Sequence, residues 1–265
     1  MVEFEFKDSY NIDDLVEIVK LLRSPGGCPW DIEQTHSSIR MDFIEEVYET
    51  IEAIDNGDPE LLREELGDVL LQVVFHTQIE REKGIFDLND VCDEVCKKMI
   101  SRHPHVFGET KVSDTGEVLK NWDAIKQNTK GQTTFTETLE SVAVSLPALI
   151  RAQKVGKRAA KSGMDFADVQ SALKNIYGEL DELSTAADSG KSEEIAEELG
   201  DVLFSCVNAA RKLGVNSEEC LTAATEKFIR RFAAVEEIVK SRGKNMNDYT
   251  TAELDEIWND IKHKI

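Results

Sequence analysis

Long apolar runs are missing from this chain of 265 residues. None reaches the ~18 residues that a membrane span needs. Proline and glycine are scarce, 5 and 15 residues, while a charged fraction of 31% fits a helical soluble protein. Positive charge is in deficit. Lys and Arg number 31 against 52 Asp and Glu, a net charge of −21, which argues against nucleic acid or an anionic membrane as the main partner. A phosphorylated small molecule stays open, because a bound divalent cation and a few local Lys and Arg reverse the sign at a site. Cysteine is sparse too: Cys28, Cys92, Cys96, Cys206 and Cys220 are odd in number, form no CxxC and have no His at zinc-ligand spacing. That excludes a disulfide framework and predicts reduced thiols in a cytoplasmic protein. The acidic N-terminus has no basic region followed by an apolar stretch, so no signal peptide is expected.

What is present is a repeat. Glu46 and Glu49 are followed by Glu65 and Asp68, and Glu179 and Glu182 by Glu198 and Asp201; all four pairs of positions are offset by 133. Fifteen residues separate the two acidic pairs in each half. An acidic set recurring with its internal spacing intact marks a duplicated unit. Carboxylates at i and i+3 share one helix face. Ile44, Val47, Tyr48, Ile51 and Ile54 recur at helical spacing around the first pair. Leu62, Leu66, Val69, Leu70, Val73 and Val74 do so around the second. Asn56-Gly57-Asp58-Pro59 reads as the turn between them. The pattern predicts an antiparallel helix pair with four carboxylates facing each other in each half. A single ExxE is ordinarily a solvated helix face. Repeated and bordered by an apolar seam, the cluster instead needs positive charge, and oxygen-only ligands suit Mg²⁺, with Mn²⁺ as a substitute.

The repeat extends further. Ile12 to Arg23 reads as a helix that Pro25-Gly26-Gly27 ends. Lys98 and Arg102 match Lys227 and Arg231, and Trp122-x-x-Ile-Lys matches Trp258-x-x-Ile-Lys. A Lys-x-x-x-Arg pair alone is usually a solvated face and a lone Trp is usually core. Recurring in one order after the acids, they read as a phosphate clamp and an aromatic near a base, which a nucleoside triphosphate would use together. The domains are then 1–126 and 141–265, with the polar, threonine-rich segment 127–140 as linker.

These motifs resemble the MazG family of nucleoside triphosphate pyrophosphohydrolases over nearly the whole chain. The resemblance is carried by Glu45-Glu46-Val47-Tyr48-Glu49 with Glu65 and Asp68. Cys28-Pro29-Trp30-Asp31, Arg102-His103-Pro104-His105-Val106-Phe107 and Leu146-Pro147-Ala148-Leu149 add to it. It implies an all-α fold of two tandem MazG-like domains, with four-helix-bundle cores completed in a homodimer. It implies Mg²⁺-dependent hydrolysis of NTPs and dNTPs to the monophosphate and pyrophosphate, with broad base specificity. Carried over by position, Glu179, Glu182, Glu198 and Asp201 are the catalytic metal ligands, with Glu46, Glu49, Glu65 and Asp68 as the first-half set. Asn175, Lys227, Arg230, Arg231 and Trp258 fall where the family contacts nucleotide, with Lys98, Arg102 and Trp122 as first-half counterparts. Gly178 replaces the first Glu of the second motif, and Asn175 stands where a Lys is expected. The nucleotide-contact pattern nonetheless fits the second half best.

On this reading Glu179 or Glu182 activates a water that attacks the α-phosphorus, Lys227 and Arg231 neutralise the leaving pyrophosphate, and Trp258 packs near base or sugar. Two other readings compete. One half or both could be a non-catalytic nucleotide-sensing module, and within the enzyme class a narrow dUTPase or dCTPase relative shares the metal motif. A di-iron bundle wants Glu-x-x-His, and neither half has His three residues after one of the repeated acids.

Overall fold

The computed structural model describes residues 3–129 and 131–262, without the side chains of residues 123 and 127–129. No strand occurs among the described residues, as the sequence predicts, and no described helix is long and apolar enough to cross a membrane. The chain divides into two compact units, Met1–Lys126 and Gln127–Ile265.

In the first unit, α1 (Ile12–Leu22) opens on a capping box. The Asn11 side chain accepts from the backbone N–H groups of Asp13 and Asp14, and Asp14 accepts from that of Asn11. Its Val19 is fully buried in a cluster with Ile39, Val74, Phe75 and Ile79. The short α2 (Pro29–Glu33) has proline at its first position, where a missing N–H costs nothing. Then come α3 (Arg40–Asn56) and α4 (Pro59–Glu82). Gly57 ends α3 at φ 65°, a left-handed conformation that glycine adopts without a Cβ clash. Asp58 then caps α4, so the predicted antiparallel hairpin forms. The unit continues with α5 (Leu88–Arg102), α6 (Pro104–Phe107) and α7 (Thr115–Thr129).

Two polar fastenings hold the loops ahead of α3 onto α4. The Arg23 side chain is 6% exposed; its Nε and Nη2 donate to the Glu82 carboxylate, each at 2.8 Å. Its Nη1 donates to the carbonyls of Asp31 and Gln34, and the guanidinium lies 5.1 Å from the centre of the Phe75 ring. Further along, His36 Nε2 donates to Glu80 at 2.6 Å, and its Nδ1 meets His76 Nδ1 at 2.7 Å. The ring centroids are 5.0 Å apart and the planes differ by 11°. With so short an N···N contact, the rings meet edge to edge through one N–H···N bond, not face to face. Burial, and secondly the nearby His36, holds the His76 pKa below its ordinary value.

The second unit comprises α8 (Phe135–Glu140), α9 (Ala148–Lys161), α10 (Val169–Ser189), α11 (Ser192–Leu213), α12 (Ser217–Ser241), a 3-10 turn at Met246–Asp248 and α13 (Thr251–Lys262). Here α10 and α11 form the second hairpin, and Gly190 at φ 70° plays the part of Gly57. Residues 127–140, expected as linker, carry helix at both ends. Thr134 and Glu137, threonine-rich sequence that reads as turn, form the capping box of α8. Arg158 of α9 then bonds the Thr138 carbonyl and the Ser141 hydroxyl. Lys130 of that segment lies outside the described residues. Val235, Val239, Ile257 and Ile261 join α12 to α13 in a buried cluster. Gln153 of α9 fixes the start of α12 by accepting from the Ser217 N–H and hydroxyl at 2.9 and 2.8 Å.

The apolar stripe of α3 is not closed over within its unit. Val47, Tyr48, Ile51 and Ile54 are 40–57% exposed, and Ala53 alone in that helix is buried. On α10 and α11, Tyr177, Leu180, Leu199 and Leu203 are likewise exposed.

Candidate metal centre and adjoining cavity

Each hairpin gathers carboxylates as its sequence predicts. Oxygens of Glu46, Glu49 and Glu65 lie within 4.8 Å of one another, and so do those of Glu179, Glu182 and Glu198. Asp68 and Asp201, one turn further on, stand outside these triplets yet raise their neighbours. Burial lifts the Glu65 carboxyl above its usual pKa, with Glu49 and Asp68 adding to it. It lifts Glu46 likewise, with Asp68 and Glu49 next, and Glu198, with Glu182 and Asp201 next. No Lys or Arg pairs with any of these eight acids among the described residues. Crowded, uncompensated carboxylates with only oxygen donors fit a hard divalent cation, Mg²⁺ or Mn²⁺.

The second cluster opens onto a cavity of 520 Å³. Glu179 and Asp201 stand at one end, and Met164, Phe166, Phe204 and Leu139 supply apolar wall. Asn175, one turn before Glu179, donates from Nδ2 to Glu179 at 3.0 Å and to the Ser205 hydroxyl at 2.8 Å. Deeper in, α9 and α11 come close because residue 156 is glycine: a Cβ there would stand 2.7 Å from Asn208 Oδ1. The Asn208 amide accepts from Arg211 and donates to the Phe204 carbonyl, each at 3.3 Å.

The loop carrying Met164 and Phe166 is gripped from α11. Arg211 bonds Asp165 at 2.5 Å, and Lys212 bonds the same carboxylate at 3.1 Å and the Phe166 carbonyl at 2.7 Å. The Arg211 hydrogen bond is the main reason that the Asp165 pKa falls to about 2. A depressed carboxyl contributes stability that is present above its unfolded pKa of 3.8 and is lost as pH falls through about 2. Asp165→Asn is therefore expected to cost about 1–2 kcal/mol at neutral pH. The difference from wild type should shrink in thermal melts taken from about pH 5 down to about pH 2. A difference constant over that range would contradict the pairing.

In the first unit the same offset puts Asp42, Gln72 and Phe75 where the second has Asn175, Ser205 and Asn208. The larger Gln72 and Phe75 fill the space, and the cavity there, walled also by Trp30, is only 130 Å³. Gln72 Oε1 is buried without a partner among the described residues.

The basic and aromatic residues predicted to contact nucleotide lie elsewhere in each unit. Arg102 stacks over Trp122 at 5.4 Å, with the His103 ring edge-on to that Trp, and Lys98 is exposed on α5. Lys227 and Arg230 are exposed on α12, Arg231 reaches the Lys262 carbonyl at 3.5 Å, and Trp258 packs on Phe228 at 5.1 Å beside the α12–α13 cluster. None of these residues lines either cavity. Arg102 and Arg231 share one feature, a buried Nε without a partner among the described residues. The lining residues Ser205, Asn208, Gly156 and Met164 escape the sequence reading. The signal for them is the set of positions where the two repeats differ beside the acids they share.

Comparison with known proteins accords with this arrangement. The MazG nucleotide pyrophosphohydrolase domain matches the chain twice, at residues 34–107 and 167–235. A nucleoside triphosphate pyrophosphohydrolase of Escherichia coli K12 is 42% identical over 256 residues, 96% of this chain and 97% of that protein. A Thermotoga maritima protein named nucleoside triphosphate pyrophosphohydrolase/pyrophosphatase MazG is 43% identical over 250 residues, 94% of this chain and 95% of its own length. The uncharacterized protein YabN of Bacillus subtilis is 44% identical over 246 residues, 92% of this chain and 50% of its own. With the domain found twice and relatives matching end to end, the chain belongs to the MazG family.

Proposed function

We propose that this protein is a nucleoside triphosphate pyrophosphohydrolase, dependent on Mg²⁺ and broad in base, that turns over at its second half. The observation that carries this is the pairing of a carboxylate triplet with a 520 Å³ cavity at Glu179 and Asp201. The names of the E. coli and T. maritima relatives support the reaction. The small cavity at Asp42, Gln72 and Phe75, which no acid of the first triplet lines, favours the sensing or interaction role for that half.

Glu179, Glu182 and Glu198 would hold the cation, with Asn175 orienting Glu179. Bound Mg²⁺ supplies charge for the triphosphate oxygens and lowers the pKa of a water. Asp201, outside the triplet and facing the cavity, takes the proton of the attacking water, a role first expected of Glu179 or Glu182. The apolar walls of Met164, Phe166, Phe204 and Leu139 hold a base by shape and stacking, contacts that every base can make; this supports broad specificity. Lys227, Arg230, Arg231 and Trp258 do not line the cavity at Glu179 and Asp201, so a second copy would bring them to the triphosphate. The exposed apolar faces of α3 and α10–α11 support such a homodimer. Five unpaired cysteines support a cytoplasmic location.

The test is product analysis on a panel of NTPs and dNTPs, with Mg²⁺ and with chelator. Monophosphate plus pyrophosphate, formed only with metal, is expected. Diphosphate plus phosphate would overturn the cleaved bond, and turnover in chelator would overturn the cation.

A further inference from the structure

We propose that Asn175 and Ser205 read the sugar hydroxyls of the nucleotide, so that the second-half site favours ribonucleotides. This rests on that half being where the triphosphate binds. Helix α11 serves as a ruler. Asp201, Ser205 and Asn208 lie at i, i+4 and i+7 on its cavity face. At a rise of 1.5 Å per residue, Ser205 stands about 6 Å and Asn208 about 10 Å beyond Asp201 along the axis. With the phosphates at the carboxylates, the sugar falls at the level of Ser205. The base falls deeper, between Met164, Phe166 and Leu139.

The polar groups at the sugar level are unpaired in a complementary way. The Asn175 amide orientation is fixed, because its oxygen in place of Nδ2 would face the Glu179 carboxylate. Both hydrogen bonds run from Nδ2, so Oδ1 is left as an acceptor without a donor among the described residues. Ser205 is 4% exposed, accepts from Asn175, and has no acceptor for its own O–H among the described residues. The pair thus presents one donor and one acceptor side by side in a mostly apolar cavity. A hydroxyl both donates and accepts, and a ribose cis-diol matches the two together. A site built for a hydroxyl discriminates against the analogue lacking it, because its own buried groups are then left unpaired. The first half has no such pair, since Asp42 offers only acceptors and Gln72 fills the space.

The experiment measures kcat/KM of the full-length protein with Mg²⁺ for ATP, 2′-deoxy-ATP and 3′-deoxy-ATP, in wild type, Ser205→Ala and Ser205→Thr. Alongside it, calorimetry measures affinities for the uncleavable α,β-methylene analogues of ATP and 2′-deoxy-ATP. Wild type is expected to favour ATP over the deoxynucleotides by about 3- to 10-fold. Ser205→Ala should bring that ratio toward unity, and Ser205→Thr, which keeps the hydroxyl, should retain it. Equal losses for all three nucleotides in Ser205→Ala would overturn the assignment while leaving the hydrolytic function intact. A wild type without turnover, whose analogue affinities still split by sugar and lose that split in Ser205→Ala, would retain the sugar reading and remove the hydrolytic one. Absence of both would remove both.

Discussion

Exchange of Glu198 for Gln is expected to suppress pyrophosphate release while raising the melting temperature of the metal-free protein. The two effects have one cause. Glu198 sits within 4.8 Å of Glu179 and Glu182, and burial and those like charges hold its carboxyl above its usual pKa. Without a cation the ionised cluster opposes folding; with one, the same charge concentration binds it. Gln keeps the shape and removes one charge, so repulsion falls and so does the attraction for Mg²⁺. By analogy with loss of one electrostatic stabiliser of a transition state, kcat should drop about 10²–10³-fold. Glu65→Gln should raise the metal-free melting temperature in the same way, with a far smaller loss of rate, because its cluster belongs to the half not proposed to turn over. Melting curves in chelator and in Mg²⁺, read beside the rate of pyrophosphate release, check both variants. A lower metal-free melting temperature for Glu198→Gln, or retention of more than about a tenth of the rate, would show that these acids are not a cation cage.

Arg23→Ala should be the most damaging single change to the first unit away from its carboxylates. The guanidinium is nearly buried, holds Glu82 with two hydrogen bonds, satisfies two loop carbonyls and stacks on Phe75. Removing it leaves the carbonyls of Asp31 and Gln34 without that donor and releases α2 from α4. Breaking a buried ion pair from one side costs about 3–5 kcal/mol, and the partial exposure of Glu82 puts the expectation at the lower end, about 3 kcal/mol. Replacing both partners, Arg23→Met with Glu82→Leu, should recover much of the loss, because no charge is then left unpaired. Urea unfolding of the single and double variants gives the coupling directly. A loss under about 1 kcal/mol for Arg23→Ala would mean that the contact is no more than a surface ion pair.

Much of this was legible in the residues themselves. The 133-residue offset of Glu46, Glu49, Glu65 and Asp68 located both hairpins, because i and i+3 acids and a Gly57-Asp58-Pro59 turn are local signals that need no tertiary context. Ile12–Arg23 was likewise readable to within a residue of α1. The helix at Phe135–Glu140 was not: threonine favours both turns and N-caps, and the bond from the Glu137 N–H to the Thr134 hydroxyl shows that Thr134 does the second. The cavity was out of reach for another reason. Its size depends on which side chains face one another across α9, α10 and α11, and a close approach such as Gly156 to Asn208 leaves no periodic trace. Trp258 shows the limit of motif order: its place after Lys227 and Arg231 suggested a base contact, whereas within its own unit it packs on Phe228.

The uncovered apolar faces occur twice on one chain, on α3 and on α10–α11, and the duplication has a topological consequence. In the homodimer proposed above, two such faces on one chain can both engage the same second chain, or each can engage a different one. In the first case the earlier contact raises the effective concentration for the later one, so two weak faces act together as a strong, closed pair. In the second the chains propagate into open arrays. On that proposal, a half that turns nothing over still governs the working half, because its grip would decide how often, and with which neighbour, the second-half faces meet.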